Sequence, residues 1–518
     1  MSFLCISIIV LWGLAGLLIL LFPVTNVAHL HDRRLIWAAA NLRTFAHYVF
    51  ISVMIPTAYT VAADSPNRAA VSGALIGATA VLVPFGAAVG RYLSEDLSTI
   101  KLGVSTFGTL LFANAAANAV CFDLLRSESL LHAAFVTRFA HGFFAGALGV
   151  LIESHVLAVT PPTETTAFFQ LTGVAATLGI AVGPLAAVGS GHELGRLSAW
   201  PEYFAANAVA LAVVVCFVAV PRDLAEEDYE LMIGKQVAPE VQTDELSLTV
   251  SSSANLPESS RKWVWVLGLI AFINNKSIVA ACQTGTSLIL EVGHGWPPAD
   301  IGLGLAMASL CAVPLLFALL QLSDVRNLVL LGGAMLLSGL LLVVANLRFS
   351  RQLPCFLLIV DVLIYCFVSS GTSLSTSAAS NASLEGTLFN QPNLVFFTHA
   401  DGFFTFATAT SCRYFVGSWG LWGYVGILSV LTVLQFLLYS GQALSWRSAA
   451  SCRRGDTPAL EIPAESSQWN RQVSSASSPW NRQVSTASSH WKREVTTASA
   501  HWNRQLTTAS SHWCRQFT

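Results

Sequence analysis

The chain has 518 residues, 54% of them hydrophobic and only 11% charged, with a formal net charge of -2; average globular chains carry about a quarter charged residues. A mean hydropathy of +0.61 excludes an ordinary water-soluble globule; the net charge says little until it is divided by side of the membrane, and nucleic acid is not an expected partner. Ten cysteines stand singly with no Cys-x-x-Cys pair, so neither a metal centre nor a disulfide framework is expected.

Apolar runs long enough to cross a hydrocarbon core of about 30 Å recur along the chain. Thirteen spans are drawn. The first, MSFLCISIIVLWGLAGLLILLFPV within 1–30, has no basic n-region and a poor cleavage site at Asn26-Val-Ala28, so it reads as an uncleaved extra helix. Six spans then fall within 43–220 and six within 263–442, separated by an acidic connection at 221–262 and followed by a tail at 443–518. Two six-helix halves joined by a long polar link are what parallel repeats show. With the link and tail in the cytosol, 19 Lys and Arg fall on that side and five on the other, the orientation that basic residues favour.

Three motifs stand out in chain order. Gly86-x-x-x-Gly90-Arg91 ends the second span of the first half; Arg138-x-x-His141-Gly142-x-x-x-Gly146 lies in the fourth; Gly179-x-x-x-Gly183-Pro184 lies in the fifth. Glycines four apart flatten one helix face so that a neighbour can approach closely. An Arg in hydrocarbon must face the interior and be paired. Together these stretches resemble the major facilitator superfamily: R-x-x-Q-G-x-x-x-[GA] in the fourth helix, with His141 where Gln is usual, and the Gly-Pro motif of the fifth. The first motif departs from the family's G-x-x-x-D-R-x-G-R, carrying Gly90 in place of the Asp, while the second half keeps Asp324 and Arg326.

The resemblance covers about 43–442. It implies an all-α polytopic membrane protein with the twelve-helix fold in two pseudo-symmetric bundles, here with one extra N-terminal helix. It also implies a secondary active or facilitative transporter of a small solute working by alternating access. No branch is assigned, and plasma membrane and vacuolar or lysosomal membranes are not distinguished. The alternative is a transport-inactive sensor or scaffold presenting the tail. A wet cavity lined by Lys276 and an Asp favours transport; one plugged by aromatics favours the scaffold.

Ionisable residues far from span ends are His47, Arg138, His141, Lys276, Asp361, Asp401 and Arg413, each a functional candidate by its cost in hydrocarbon. Lys276 sits about 20 Å into its helix at 1.5 Å per residue, near the midplane where transporter sites lie. Asp361 or Asp401 could pair with it and carry a coupling proton, or the pair could simply fix helix register. Asn274, Asn275 and Gln283 could bond a polar solute or bond between helices. Arg138 and Arg413 are expected to be structural or gating groups, and His141 a satisfied hydrogen bonder or a proton sensor. Glu153 and His155, close to a helix end, could simply snorkel. No Walker A, HExxH or GxSxG sequence appears, so no enzyme and no cofactor is expected.

The tail ends on five repeats with a period of eleven, spanning 466–518: WNRQVSSASSP, WNRQVSTASSH, WKREVTTASAH, WNRQLTTASSH and WCRQFT. Trp and Arg suit an anionic membrane surface. Each Arg stands three before a Ser or Thr, including Ser474, Ser485, Thr496 and Thr507; that spacing resembles a basophilic kinase site, and phosphates there would cancel the attraction. An inert disordered tail encoded by a recently duplicated segment explains the repeats as well, and is somewhat favoured over any specific role.

Overall fold

The computed structural model describes residues 30–94, 97–125, 127–160, 164–188, 199–219, 257–319, 325–348, 353–384 and 386–455. The extra N-terminal helix, nearly all of the 221–262 link, Asp324 and the repeat tail with its Ser and Thr sites lie outside them. One compact unit is Met1–Cys452; the second, Arg453–Thr518, is described only to Gly455.

Among the described residues the first half contains α1 (Leu30–Ser52), α2 (Ala58–Val61), α3 (Arg68–Val81), α4 (Val83–Leu93), α5 (Leu97–Leu124), α6 (Ser127–Val159), α7 (Thr165–Val188) and α8 (Trp200–Ala219). The second contains α9 (Glu258–Leu288, continued as a π turn over Ile289–Gly293), α10 (Pro298–Leu319), α11 (Asn327–Arg348), α12 (Leu353–Asn381), α13 (Gln391–His399), α14 (Gly402–Trp419) and α15 (Leu421–Gly455). Among the described residues, ten helical stretches are long and apolar enough to cross a membrane. The outer faces are apolar as well. On α11, Leu330, Leu337, Leu340, Val344 and Leu347 stay exposed at helical spacing, a stripe suited to lipid rather than water.

Three spans expected to be single helices are broken. The first span of the first half starts at Leu30, not at 43, and breaks over 53–57 around Pro56 before α2 resumes. The earlier start places Arg43 more than three turns into the packed helix, where it is 6% exposed. The second span divides at Leu82, because Pro84 has no N–H to give the carbonyl of Ala80. The fifth span of the second half divides at Ala400 and Asp401. These last two breaks touch. A Cβ on Gly402 would overlap the oxygen of Ala80, so only glycine lets the α14 start rest on the carbonyl that Pro84 leaves free.

The motif glycines meet neighbouring backbone within the first half. Gly142 and Gly146 of α6 lie over the carbonyls of Thr79 and Val83, and Gly86 and Gly90 of α4 over those of Phe143 and Ala147. Gly179 and Gly183 pack on α1 at Phe45 and Ser52. The α7 stripe therefore joins two helices of one bundle. Contact between the halves on α7 includes the carbonyl of Pro184, which faces Gly302 of α10, and hydroxyl contacts to α12.

Candidate functional site

A cavity of about 210 Å³ lies between the two halves. Each helix turns one helical stripe toward it. From α1 come Arg43, Thr44, His47, Tyr48 and Ile51; from α7, Phe169, Thr172, Gly173, Ala176, Thr177 and Ile180. From α9 come Phe272, Asn275, Lys276, Val279, Ala280 and Gln283; from α12, Tyr365, Val368, Ser369, Thr372, Ser373 and Thr376. The spacing of three and four is that of one helix face. The break between α13 and α14 brings Thr398, His399 and Asp401 to the same space, opposite Glu153 of α6.

Lys276 reaches across the interface. Its Nζ donates to the hydroxyl of Tyr48 and lies 4.8 Å from the Tyr48 ring and 5.1 Å from that of Phe272. The expected Lys–Asp ion pair is not formed among the described residues: no carboxylate comes within 4.0 Å of Lys276. Asp401 lines the cavity at 8% exposure. Asp361 does not. It is buried behind α9, its Oδ1 accepting from Thr286 Oγ1 at 3.2 Å and from the Tyr424 hydroxyl at 3.5 Å.

Asn274 turns away from the cavity and bonds α15, its Nδ2 donating to Leu431 O at 2.9 Å and to Gln435 Oε1 at 2.7 Å. Asn275 donates to the Tyr439 hydroxyl at 2.7 Å while its side chain also borders the cavity. Gln283 lines the cavity with its Nε2 unpartnered. His141 sits behind the wall, stacked on Phe50 with ring centroids 3.6 Å apart and beside His47 at 5.6 Å.

Glu153 departs from the snorkelling expectation. Arg43 donates to its Oε1 at 2.9 Å, and His399 Nε2 lies 3.6 Å from the same oxygen. His155 is buried beside it. The earlier start of α1 and the break at His399 bring these partners together, and neither was read from the sequence. The Asp401-Gly402 dipeptide, a turn signal, was the cue within an otherwise apolar run.

The two buried arginines do different things. Arg138 donates to the carbonyls of Phe50 at 3.3 Å and Ile51 at 2.9 Å, capping the end of α1 where carbonyls lack helical partners. Arg413 ties the halves together. From α14 it donates to Thr284 O (3.2 Å) and Ser287 Oγ (2.7 Å) on α9, and across the interface to Ser72 Oγ (2.7 Å) and Ile55 O (3.4 Å). Arg91 ends α4 beside Ser94, and Arg326 lies just before α11.

No protein-family model matches the chain, and no curated protein matches its sequence. Solved structures match in shape. The xylose transporter XylE from E. coli, in a partially occluded inward open conformation, superposes with a TM-score of 0.57 at 13% identity, covering 78% of this chain and 96% of that one. A D-xylose-proton symporter gives 0.56 at 11% identity, covering 77% and 96%. The peptide transporter POT in complex with sulfate gives 0.53 at 16% identity, covering 80% and 95%. At such identities the likeness establishes the fold. The chain is a multi-pass integral membrane protein with the major facilitator fold, of no assigned branch.

Proposed function

We propose that the chain is a secondary transporter that moves a small polar solute by alternating access, with Asp401 as the proton-coupling acid. The carrying observation is a cavity between the two halves that holds Lys276 and Asp401 apart, bounded toward either membrane face by contacts between the halves. A static scaffold has no need for such a cavity, since charged groups in hydrocarbon are costly unless used. The xylose and peptide transporters named above lend the same reading by fold alone. With the 219–258 link in the cytosol, the Arg43–Glu153–His399 cluster stands at the cytosolic end of the cavity.

Uptake into proteoliposomes from mixed solute pools, with and without an inward pH gradient, tests this. Solute accumulation that the gradient enhances and that Lys276→Ala removes is the expected result. An inert full-length protein, together with an unchanged cellular phenotype for Lys276→Ala, sinks the carrier reading.

A further inference from the structure

Four formal charges line the cavity, and they are not equivalent. Arg43 and Glu153 form a closed pair at 2.9 Å, with side chains 7% and 13% exposed. Lys276 has a phenol and two aromatic faces for company. Those groups stabilise an ammonium without neutralising it. Asp401 has no cation within 4.0 Å among the described residues. The cavity therefore keeps one cation and one acid unmatched, in surroundings where unmatched charge is expensive.

The same wall carries donors without acceptors. Gln283 Nε2 and the Tyr365 hydroxyl are buried, border the cavity and have no partner. Gln283 lies two turns along the Lys276 face of α9, about 10 Å further along the axis. Two donors on one helix face, a cation at one end and an amide at the other, suit a solute with an anionic head and a hydroxylated body.

We propose that the solute is a small hydroxylated organic monocarboxylate. It seats its carboxylate on Lys276 and its hydroxyls on Gln283 and Tyr365, and it travels with one proton held on the Asp401 carboxylate. This rests on the carrier reading above. The charges balance: binding adds one negative charge at Lys276 and one proton at Asp401, so the loaded and empty cavities carry the same net charge and the cycle is electroneutral. The other ionisable groups in the cavity are Arg43, His47 and Tyr48 on α1, Glu153 on α6 and His399 two residues before Asp401. The α3 and α4 residues that border the cavity beside Gly402, Ala80 and Val83, have no titratable side chain.

The test uses the full-length chain in proteoliposomes with a pH dye inside and acidic buffer outside. Gluconate and lactate are compared with glucose, glucosamine and alanine, which match them in size and differ in charge. Gluconate or lactate should acidify the lumen, with no change when the membrane potential is clamped. Lys276→Gln should lower that flux about tenfold, the loss of a charge-assisted bond, while Lys276→Arg retains it. Retention by Arg separates lost charge from lost folding. Asp401→Asn should still exchange labelled gluconate or lactate yet move no protons. Uptake confined to glucose, glucosamine or alanine, or anion flux that responds to the clamped potential, overturns the anion assignment and leaves the carrier standing. Movement of none of the five overturns both.

Discussion

The two ends of the interface between the halves are closed by different chemistry. Away from the 219–258 link, backbone meets backbone. Gly73 of α3 lies against Ala409 of α14, Gly77 against Phe406, and Gly302 against the carbonyl of Pro184. Arg413 adds four hydrogen bonds that reach both halves. At the link end one glycine–backbone contact, Gly402 on the carbonyl of Ala80, stands among side-chain contacts: Thr166 with Ser377, Ser373 donating to Phe169 O at 2.9 Å, Thr177 with Ser369, and His399 beside the Arg43–Glu153 pair. Hydroxyls exchange these partners for water at little net cost. Glycine-to-backbone contact has no such substitute. With one such contact at the link end against three at the other, the link end is the easier one to open under the proposed carrier function.

The largest effect should follow removal of Arg413. Arg413→Met keeps most of the volume but leaves Ser72, Ser287 and the carbonyl of Ile55 without their donor, a loss of about 3 kcal/mol for bonds to a charged group. Thermal unfolding in detergent should fall, and a cysteine placed in the cavity should become reactive from the side away from the link. Equal reactivity from both sides in the parent chain would remove the asymmetry. Next comes Gly302→Val. A Cβ there would stand 2.6 Å from Pro184 O, and overpacking of this kind costs about 2 kcal/mol. Gly426→Ala has nothing within 4 Å and should be neutral or stabilising, which makes it the matched control.

Glu153→Gln acts at the other end. It leaves Arg43 buried without its carboxylate and removes the anion beside His399, so the link end should open more often. Maleimide labelling of Thr172→Cys from that side should quicken by about tenfold, equivalent to roughly 1.4 kcal/mol. Slower labelling would mean that the cluster holds the end open rather than shut.

How much of this could be read from residues alone follows from which physics was local. Helix number and the two halves rest on apolar runs, which bury or face lipid whatever the details. The depth of Lys276 followed from counting 1.5 Å per residue from a span start. Glu153 was misjudged and Arg43 was not singled out because their depth depended on where helices begin and end, and α1 starts 13 residues earlier than hydropathy implied. Polar residues such as Arg33, Arg34 and Asn41 lower the local hydropathy without ending the helix. The choice between Asp361 and Asp401 could not be made by counting. It turns on which face each carboxylate occupies, and for Asp401 on a helix break propped by Gly402 against Ala80, two residues far apart in sequence.

The smallest effect is also the most selective. Thr166 of α7 and Ser377 of α12 share a hydrogen bond across the link end, and no charge is involved. Thr166→Val keeps the shape and removes the hydroxyl, and Ser377 can then turn to a backbone carbonyl or to water. The net loss should be about 1 kcal/mol, which alters an opening equilibrium about fivefold. Because the change is isosteric and lies away from Lys276 and Asp401, thermal stability should barely move while labelling of Thr172→Cys from the link side rises. The double variant Thr166→Val, Glu153→Gln then reports whether the hydroxyl contact and the ion cluster belong to one gate. If they do, the second substitution adds less than it does alone, because an end already open gains little from losing another tie. Full additivity would mean two independent contacts and no single closing unit at that end.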